Sequence, residues 1–327
     1  MNTRHAKTTG LAGFARNALR AGMTAAVALV VAGATNAQDY PNRAINMLIP
    51  FGAGGGTDVP GRFFALEMED ILGQQIVVSN VAGAGGTVGA TQLSQADPDG
   101  YNLGFMPVGT MTTQPHLKKT SYNADSWIPI CMVSQGPFYL VVGQDSPIQS
   151  VDDYVAAANS SNIRFAGAGP GSMAHLAQLT LDNSLGITTQ YIPTKGGGDI
   201  ATEINGGRAE ATAWFSDFDS RFGWKGLAIM ADNRSNEHPD LPTFSELGND
   251  IQVSVWFGFF APQGTPDDIV ATLSGACGEA VATDRFKENM AGAKRLIRYM
   301  STDEFGPFFR NAYELNGQLL MDAGLIK

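Results

Sequence analysis

Four short segments rich in glycine have the composition of anion-binding loops. They lie at residues 51–56, 82–86, 167–172 and 194–199. Each follows an apolar run typical of a buried strand and precedes residues with helical spacing. The first backbone N–H groups of a helix have no partner within it, and the helix dipole adds about half a positive charge there. Because glycine has no Cβ, an anion can approach closely, so the segments predict recognition of a small anion by backbone amides.

The number of such loops supports this prediction more than any single loop does. Hydrogen bonds to a charged group contribute roughly 1.5–3 kcal/mol each, so four or five can supply the roughly 8 kcal/mol of a micromolar complex after ordering costs. One loop alone can equally be a tight connection between a strand and a helix. Four loops at the carboxyl ends of strands are harder to explain in that way, because open α/β sheets bind ligands at that edge.

The elements that position these loops alternate between strand and helix. Gly73 marks one predicted helix end, and Ser150 is a predicted N-cap. The alternation predicts an α/β protein whose parallel sheets are covered on both faces. Apolar runs predict strands at residues 44–50, 75–81, 101–106, 138–142, 162–166, 191–193, 227–230 and 253–260.

Common enzyme motifs are missing at these loops. A dinucleotide-binding GxGxxG pattern would end on Thr57 when begun at Gly52, and on Val88 when begun at Gly83. No HExxH zinc motif occurs, and the chain has four histidines and two cysteines. Ser172 suits a helix cap better than a nucleophile, because no GxSxG surrounds it. We therefore predict no catalytic residue, no cofactor and no metal.

The N-terminal residues have the order of a secretory signal peptide. Four basic residues and no acidic one precede an apolar run at residues 21–34, and small residues surround Ala37. This order predicts a signal peptide at residues 1–37 that is cleaved after Ala37. The apolar run is shorter than the about 20 residues of a membrane-spanning helix. We therefore favour an exported chain without membrane insertion over an uncleaved anchor.

Charge and cysteine content narrow the function classes further. The formal net charge is −10, and no cluster of Lys and Arg of the kind that binds nucleic acid occurs. Nucleic-acid binding is therefore excluded. Salt screens a diffuse acidic field beyond about 10 Å, so local amides can still bind an anion. For Cys131 and Cys277 the sequence leaves a disulfide and two buried thiols equally open.

Three acidic or aromatic positions have more than one interpretation. Asp58 follows the first glycine loop and is more typical of a helix cap or loop brace than of a general base. Trp214 and Asp217 lie in the stretch AWFSDFDSRF at residues 213–222. That stretch fits the wall of a pocket or a surface turn equally well.

Several longer motifs resemble one family of receptors. Their combination is similar to the Bug receptors, which are the extracytoplasmic solute receptors of tripartite tricarboxylate transporters. The resemblance covers nearly the whole mature chain. It rests on YPNR at residues 40–43, IPFGAGGGTD at 49–58, NVAGAGG at 80–86, PDGY at 98–101, GPGSMAHL at 169–176, KGG at 195–197, LPTFSELG at 241–248 and WFGFFAP at 256–262.

The resemblance implies a two-lobed fold of the periplasmic-binding-protein type that closes on a small organic carboxylate, with crossover segments as the hinge. Lobe 1 is expected from residues 38–112 and 228–327, and lobe 2 from residues 113–227. A periplasmic monomer that delivers its ligand to membrane transporter subunits is implied. The expected ligand is a dicarboxylate, and Trp214 favours an aromatic one because an indole stacks on planar rings.

The resemblance also assigns ligand-binding residues. One carboxylate is expected at the first two glycine loops, and the opposite lobe provides the remaining contacts. Many relatives carry an acidic or amide residue where this chain has Ala213, Trp214 and Phe215. The alternatives are a periplasmic enzyme acting on a carboxylate through Ser172 or Asp58, and a partner of a membrane sensor. The predicted ligand-binding residues are Phe51, Gly52, Ala53, Gly54, Gly55, Asp58, Ala84, Gly85, Gly86, Thr87, Thr110, Ser172, Thr194, Lys195, Gly196, Trp214 and Asp217.

Overall fold

The computed structural model describes residues 1–3, 40–322 and 325–326. The predicted apolar run and cleavage site of the signal peptide lie outside the described residues. The chain divides into two units, Met1–Asn42 and Arg43–Lys327, and every element named below belongs to the second. Within the described residues, none of the helices has the length and apolar character to cross a membrane.

The described elements alternate between strands and helices over most of the chain. The strands are β1 (Ile45–Ile49), β2 (Ile76–Asn80), β3 (Asn102–Pro107), β4 (Trp127–Pro137), β5 (Tyr139–Val142), β6 (Arg164–Gly167), β7 (Gln190–Pro193), β8 (Ala211–Trp214), β9 (Lys225–Ile229), β10 (Ser254–Pro262) and β11 (Ile297–Met300). The α-helices are α1 (Asp58–Leu72), α2 (Thr87–Ser94), α3 (Gln114–Leu117), α4 (Val151–Ser160), α5 (Met173–Leu185), α6 (Gly197–Asn205), α7 (Phe218–Phe222), α8 (Asp267–Ala282), α9 (Asp284–Gly292) and α10 (Thr302–Asp322).

These strands form two mixed sheets. The first has the order β11-β4-β10-β3-β1-β2, and the second has the order β7-β6-β8-β5-β9. In the first sheet β1 is parallel to β2 and β3, whereas β10 is antiparallel to both β3 and β4. In the second, β6 is parallel to β7 and β8, whereas β5 is antiparallel to β8 and β9. The α/β class is therefore confirmed, but the expectation of purely parallel sheets is wrong because the returning strands run antiparallel.

The expected lobe 2, from residue 113, includes a strand that the structure pairs with the first sheet. The long strand β4 pairs along its length with β10, so residues 127–137 belong to the first sheet. The second sheet includes only strands between Tyr139 and Ile229. The chain therefore passes between the sheets at Phe138 and again between Met230 and Val253.

The two passages between the sheets are hydrogen-bonded to each other. The Phe138 amide donates to the Val253 carbonyl at 2.9 Å, and the Met230 amide donates to the Phe138 carbonyl at 2.9 Å. The Val253 amide donates to the Met230 carbonyl at 3.0 Å. This three-residue crossing ring, Phe138, Met230 and Val253, is the backbone connection between the two lobes.

Local sequence explains where several helices begin and end. Helix α1 ends at Gly73, whose φ of 64° is left-handed and suits glycine. Ser150 caps α4 by accepting from the Asp153 amide at 3.1 Å. Ser172 caps α5 by accepting from the His175 amide at 3.3 Å. The two serine caps lie in loops at the carboxyl ends of β5 and β6, whereas Gly73 precedes β2.

A disulfide and aromatic packing hold the first lobe together. Cys131 on β4 is bonded to Cys277 on α8, with Cα atoms 6.7 Å apart. This resolves the choice between a bridge and two thiols. The ring of Phe64 on α1 lies 5.2 Å from that of Phe259 on β10 and 5.9 Å from that of Phe105 on β3. The helix is therefore packed directly on the sheet that carries the first two glycine loops.

Candidate functional site

Three helices from different parts of the chain begin at one cavity. Residues at the N-terminal ends of α1, α5 and α6 line its wall, including Thr57, Ser172 and Gly196. The cavity has a volume of about 80 Å³ and lies between the first and second sheets. Each helix brings its positive dipole end, so the wall attracts negative charge without a cationic side chain.

Backbone N–H groups at this wall remain available to a ligand. Within residues 40–322, the amides of Gly56, Thr57 and Gly196 donate to no protein oxygen. The Thr57 hydroxyl does not cap the helix that it precedes. These donors come from the first and fourth glycine loops, which lie on opposite lobes. A carboxylate with its two oxygens can accept from both sides at once.

The rest of the cavity wall is apolar and aromatic. No Asp, Glu, Lys, Arg or His occurs among the described residues that line it. Two glycines make room for the rings: a Cβ on Gly56 would lie 2.2 Å from Phe215 Cε2, and one on Gly197 would lie 2.6 Å from Trp214 Cη2. Phe138 and Phe257 complete the wall on the side of the first lobe.

The two lobes contact each other around this cavity. Gln114 Nε2 donates to the Pro170 carbonyl at 2.8 Å. Arg221 donates to the Gly54 carbonyl, and the ideal Cβ position on Gly197 is 3.6 Å from Gly55 Cα. The structure therefore shows a narrow cleft.

The cavity wall includes some, but not all, of the predicted ligand-binding residues. Those that line it are Phe51, Gly55, Thr110, Ser172, Gly196 and Trp214. The second glycine loop lies beside the cavity, where its carbonyls are bonded by neighbours: Thr110 Oγ1 donates to Gly85 O at 3.1 Å, and Lys118 Nζ donates to Ala84 O at 2.8 Å. The predicted residues that are not part of the wall are Gly52, Ala53, Gly54, Asp58, Ala84, Gly85, Gly86, Thr87, Thr194, Lys195 and Asp217.

Asp58 braces the first glycine loop instead of facing the cavity. Its carboxylate accepts from the Gly54 amide at 2.7 Å, from Arg62 Nε at 2.8 Å and from Asn80 Nδ2 at 2.8 Å. Burial raises the pKa of this carboxyl, but the bonds from Arg62, Asn80 and Gly54 outweigh burial and hold the pKa below its usual range. Both oxygens accept from protein groups, which gives Asp58 a structural role in the loop, and its contact with a ligand stays a prediction.

Asp217 is likewise engaged by protein groups. Its carboxylate accepts from Arg295 Nη1 at 2.9 Å and from Nη2 at 3.1 Å. It also accepts from Trp214 Nε1 at 3.0 Å. The side chains of Arg295 and Asp217 are only 3% and 8% exposed. Asp217 thus forms a buried ion pair that also holds the indole of Trp214 against the cavity, and its contact with a ligand stays a prediction.

Two hydroxyl groups at the wall, those of Ser172 and Thr110, donate hydrogen bonds within the protein. Tyr191 donates its hydroxyl proton to the Gly169 carbonyl at 2.7 Å, so at their 3.2 Å contact the Ser172 hydroxyl donates to the Tyr191 oxygen. Thr110 donates to the Gly85 carbonyl, as described above. In this arrangement the hydroxyl groups of Ser172 and Thr110 point their protons at protein oxygens and offer a ligand their lone pairs.

Ser172 and His175 do not form a nucleophile and base pair. The Ser172 hydroxyl accepts from the His175 backbone amide, and His175 Nδ1 accepts from the Gly171 amide at 3.0 Å. Burial lowers the pKa of His175, which keeps the ring neutral and able to accept. The ring lies 4.3 Å from that of Tyr191. The residues thus stabilise the third glycine loop.

Sequence reasoning missed ten apolar residues of the wall, four of which are aromatic or lie on strand β10. Phe138, Phe215, Val255 and Phe257 line the cavity. Val255 and Phe257 are two positions apart on β10, so both side chains lie on the same face of the strand. That alternation within the run VSVWFGFF was the available sequence signal.

Comparisons with known proteins identify the family to which the chain belongs. The model of the tripartite tricarboxylate transporter family receptor, TctC, matches residues 61–325. The chain belongs to this receptor family. Protein BugT of Bordetella pertussis is 32% identical over 279 residues, which are 80% of this chain and 83% of BugT.

Solved structures agree with the family assignment. The periplasmic binding protein BugD has a TM-score of 0.82 and 30% identity, and the match covers 88% of this chain and 100% of BugD. MatC from Rhodopseudomonas palustris with bound malate has a TM-score of 0.80 and 27% identity, covering 86% of this chain and 100% of MatC. These similarities confirm the resemblance to Bug receptors and the two-lobed fold of this TctC-family chain.

Proposed function

We propose that this receptor captures a small organic carboxylate in the cleft between its lobes and delivers it to the membrane subunits of a tripartite tricarboxylate-type transporter. The observation that carries the proposal is the meeting of three helix N-termini, with free amides from both lobes, at one cavity. An anion that bridges Thr57 and Gly196 stabilises the closed cleft, because each lobe contributes donors to it. The relative MatC is described with bound malate, which supports the carboxylate class.

The proposal includes export and binding without turnover. The basic and apolar N-terminal residues favour a periplasmic chain that is cleaved after Ala37. Mass spectrometry of protein purified from the periplasm tests this, with Gln38 expected as the first residue. The bonding of Ser172 and Asp58 to other protein groups favours a binder over an enzyme. We expect the mature receptor to act as a monomer.

Binding can be tested by a thermal-shift screen and by titration calorimetry with small mono-, di- and tricarboxylates. One ligand per chain is expected, and the stabilisation should grow with the logarithm of ligand concentration. The ligand should be recovered unchanged after prolonged incubation. Consumption of the ligand would support the enzyme alternative, and the absence of a shift with every carboxylate would refute the anion site.

Two glycine variants distinguish an effect on carboxylate binding from an effect on folding. Gly196 lines the cavity, its φ of 163° is extended backbone that any residue adopts, and its ideal Cβ position has only Gly52 N nearby, at 3.9 Å. Gly196→Val should therefore fold but fill the space between the lobes and weaken carboxylate binding at least tenfold. Gly198 is exposed, with no atom within 4 Å of the ideal Cβ position, so Gly198→Val is the matched control and should bind normally.

A further inference from the structure

One segment of lobe 2 makes polar contacts with lobe 1 at several points. This bridging segment, residues 215–221, follows β8 of the second sheet and includes most of α7. Its partners on lobe 1 are the first glycine loop and two basic residues, Lys294 and Arg295, which precede β11 of the first sheet. The bridging segment therefore connects the lobes at places other than the crossing ring.

The buried ion pair of the bridging segment lies beside the crossing ring. Asp217 accepts from Arg295 at 2.9 and 3.1 Å, and both side chains are buried. Arg295 lines a small cavity of about 20 Å³ together with Pro137 and Tyr139, which are the chain neighbours of Phe138. Separating the pair would leave two buried charges without partners, which is strongly unfavourable. We therefore expect this pair to persist at the hinge when the cleft opens.

Two further ionic contacts of the bridging segment are partly exposed. Lys294 Nζ of lobe 1 donates to the two carboxylate oxygens of Asp219 at 2.7 and 2.8 Å. Arg221 of lobe 2 donates to the Gly54 carbonyl of lobe 1. The side chains of Lys294 and Arg221 are 23% and 29% exposed. Because water can hydrate these charges when the partners separate, both contacts can break and form again at little cost.

The contact at Gly54 reaches the loop that offers amides to the ligand. On its own lobe, the Gly54 amide donates to Asp58 at 2.7 Å, whereas its carbonyl accepts from Arg221 of the opposite lobe. Gly56 and Thr57 follow in the same loop, and within residues 40–322 their amides donate to no protein oxygen. The loop is thus held from both lobes when the cleft is closed.

We infer that Arg221 and Lys294 are positioning residues that hold the cleft closed over its ligand, each reaching from its own lobe to the other. Neither side chain is among the described residues that line the main cavity, so both act on binding through the position of the lobes. The inference rests on the proposed function and assigns residues that retain the ligand. Breaking either contact favours opening, so the ligand should leave faster, while its encounter with the open cleft changes little.

Variants that remove the two cationic groups test this inference. Arg221→Met and Lys294→Met keep an aliphatic side chain and remove the donors. Exposed ionic contacts are individually weak, so each variant should raise the Kd about threefold and the double variant about tenfold. Titration calorimetry measures the Kd with malate and with the strongest carboxylate of the screen. Trp214 lines the cavity, so stopped-flow tryptophan fluorescence can separate the rates, and the association rate should stay within about twofold of wild type.

Three controls distinguish positioning from general effects of charge. Arg208→Met changes the charge of lobe 2 equally, but Arg208 is exposed and pairs with Glu203 of the same lobe, so both rates should match wild type. Lys294→Arg keeps the charge and should recover most of the affinity lost in Lys294→Met. At about 1 M salt, where the Debye length is about 3 Å, the difference in Kd between wild type and the double variant should shrink.

The outcomes separate this inference from the proposed function. A folded double variant with an unchanged Kd, or one weakened only through slower association, overturns the inference and leaves carboxylate binding intact. Failure of every carboxylate to bind the wild-type receptor overturns both. If the double variant does not fold, Asp219→Asn decides instead, because it breaks the Lys294 contact from the other lobe and should raise the Kd about threefold.

Discussion

Replacing Asp217 by asparagine should destabilise the fold much more than it alters binding. Asp217 and Arg295 are 8% and 3% exposed and make two hydrogen bonds of 2.9 and 3.1 Å. Asparagine keeps the size of the side chain but leaves the Arg295 charge buried without a counter-charge. Removing one partner of such a pair costs about 3–5 kcal/mol of folding free energy. Arg221, 3.6 Å from the same carboxylate, adds repulsion and favours the upper part of that range.

Urea unfolding followed by circular dichroism at pH 7 measures this loss. Asp219→Asn is the matched control, because Asp219 pairs with Lys294 while its own side chain is 43% exposed. An exposed pair contributes at most about 1 kcal/mol. The reasoning is refuted if Asp217→Asn unfolds within 1 kcal/mol of wild type. Normal stability with abolished carboxylate binding would instead restore Asp217 as a ligand contact.

Three further predictions concern the disulfide, a histidine and a helix cap. The partners of the Cys131–Cys277 bond are 146 residues apart, so reducing the bond should lower the free energy of unfolding by up to about 5 kcal/mol in the chain-entropy view. Urea unfolding with and without dithiothreitol should show at least a third of this loss of free energy. Burial lowers the pKa of His175 in the folded protein, so as the pH falls the unfolded chain binds the proton before the folded one does. The contribution of His175 to stability is therefore complete above about pH 6.5 and is lost as the pH drops through the folded pKa, with a slope of at most about 1.4 kcal/mol per pH unit. Melting curves between pH 7.5 and 5 test this, and His175→Asn, which keeps an acceptor for Gly171, should flatten the dependence. Ser150→Ala removes the acceptor of the Asp153 amide at 3.1 Å and should cost about 1 kcal/mol in urea unfolding; a loss below 0.3 kcal/mol would mean that water replaces the cap.

The local part of the fold was predictable from the sequence, whereas the pairing of distant strands was not. The glycine loops, the end of α1 at Gly73 and the cap at Ser150 depend on neighbouring residues, and all have clear local signals. Strand β4 has no such signal, because prolines at 129 and 137 and a glycine at 136 interrupt its apolar pattern. Its partner β10 is more than a hundred residues away, and only tertiary pairing reveals that residues 127–137 belong to the first sheet.

The candidate site was likewise predictable where it depends on neighbouring residues and not where it depends on distant ones. The glycine loops could be found from composition, and the wall residues Phe51, Gly55 and Gly196 follow from them. The state of Asp217 could not be found, because its partner Arg295 lies 78 positions away. Whether a hydroxyl can donate to a ligand also depends on bonds made elsewhere. Ser172 donates its hydrogen bond to the Tyr191 oxygen because Tyr191 donates its own to the Gly169 carbonyl.

The crossing ring of Phe138, Met230 and Val253 has a mechanical consequence. Stretches of backbone that lie side by side and share hydrogen bonds, as these three do, allow hinge rotation more readily than sliding past each other. We therefore expect the lobes to move relative to each other mainly by hinge rotation. Under the proposed function, occupancy of the cleft would be expressed as the angle between the lobes, and a transporter subunit that touches both lobes would distinguish loaded from empty receptor without contacting the ligand.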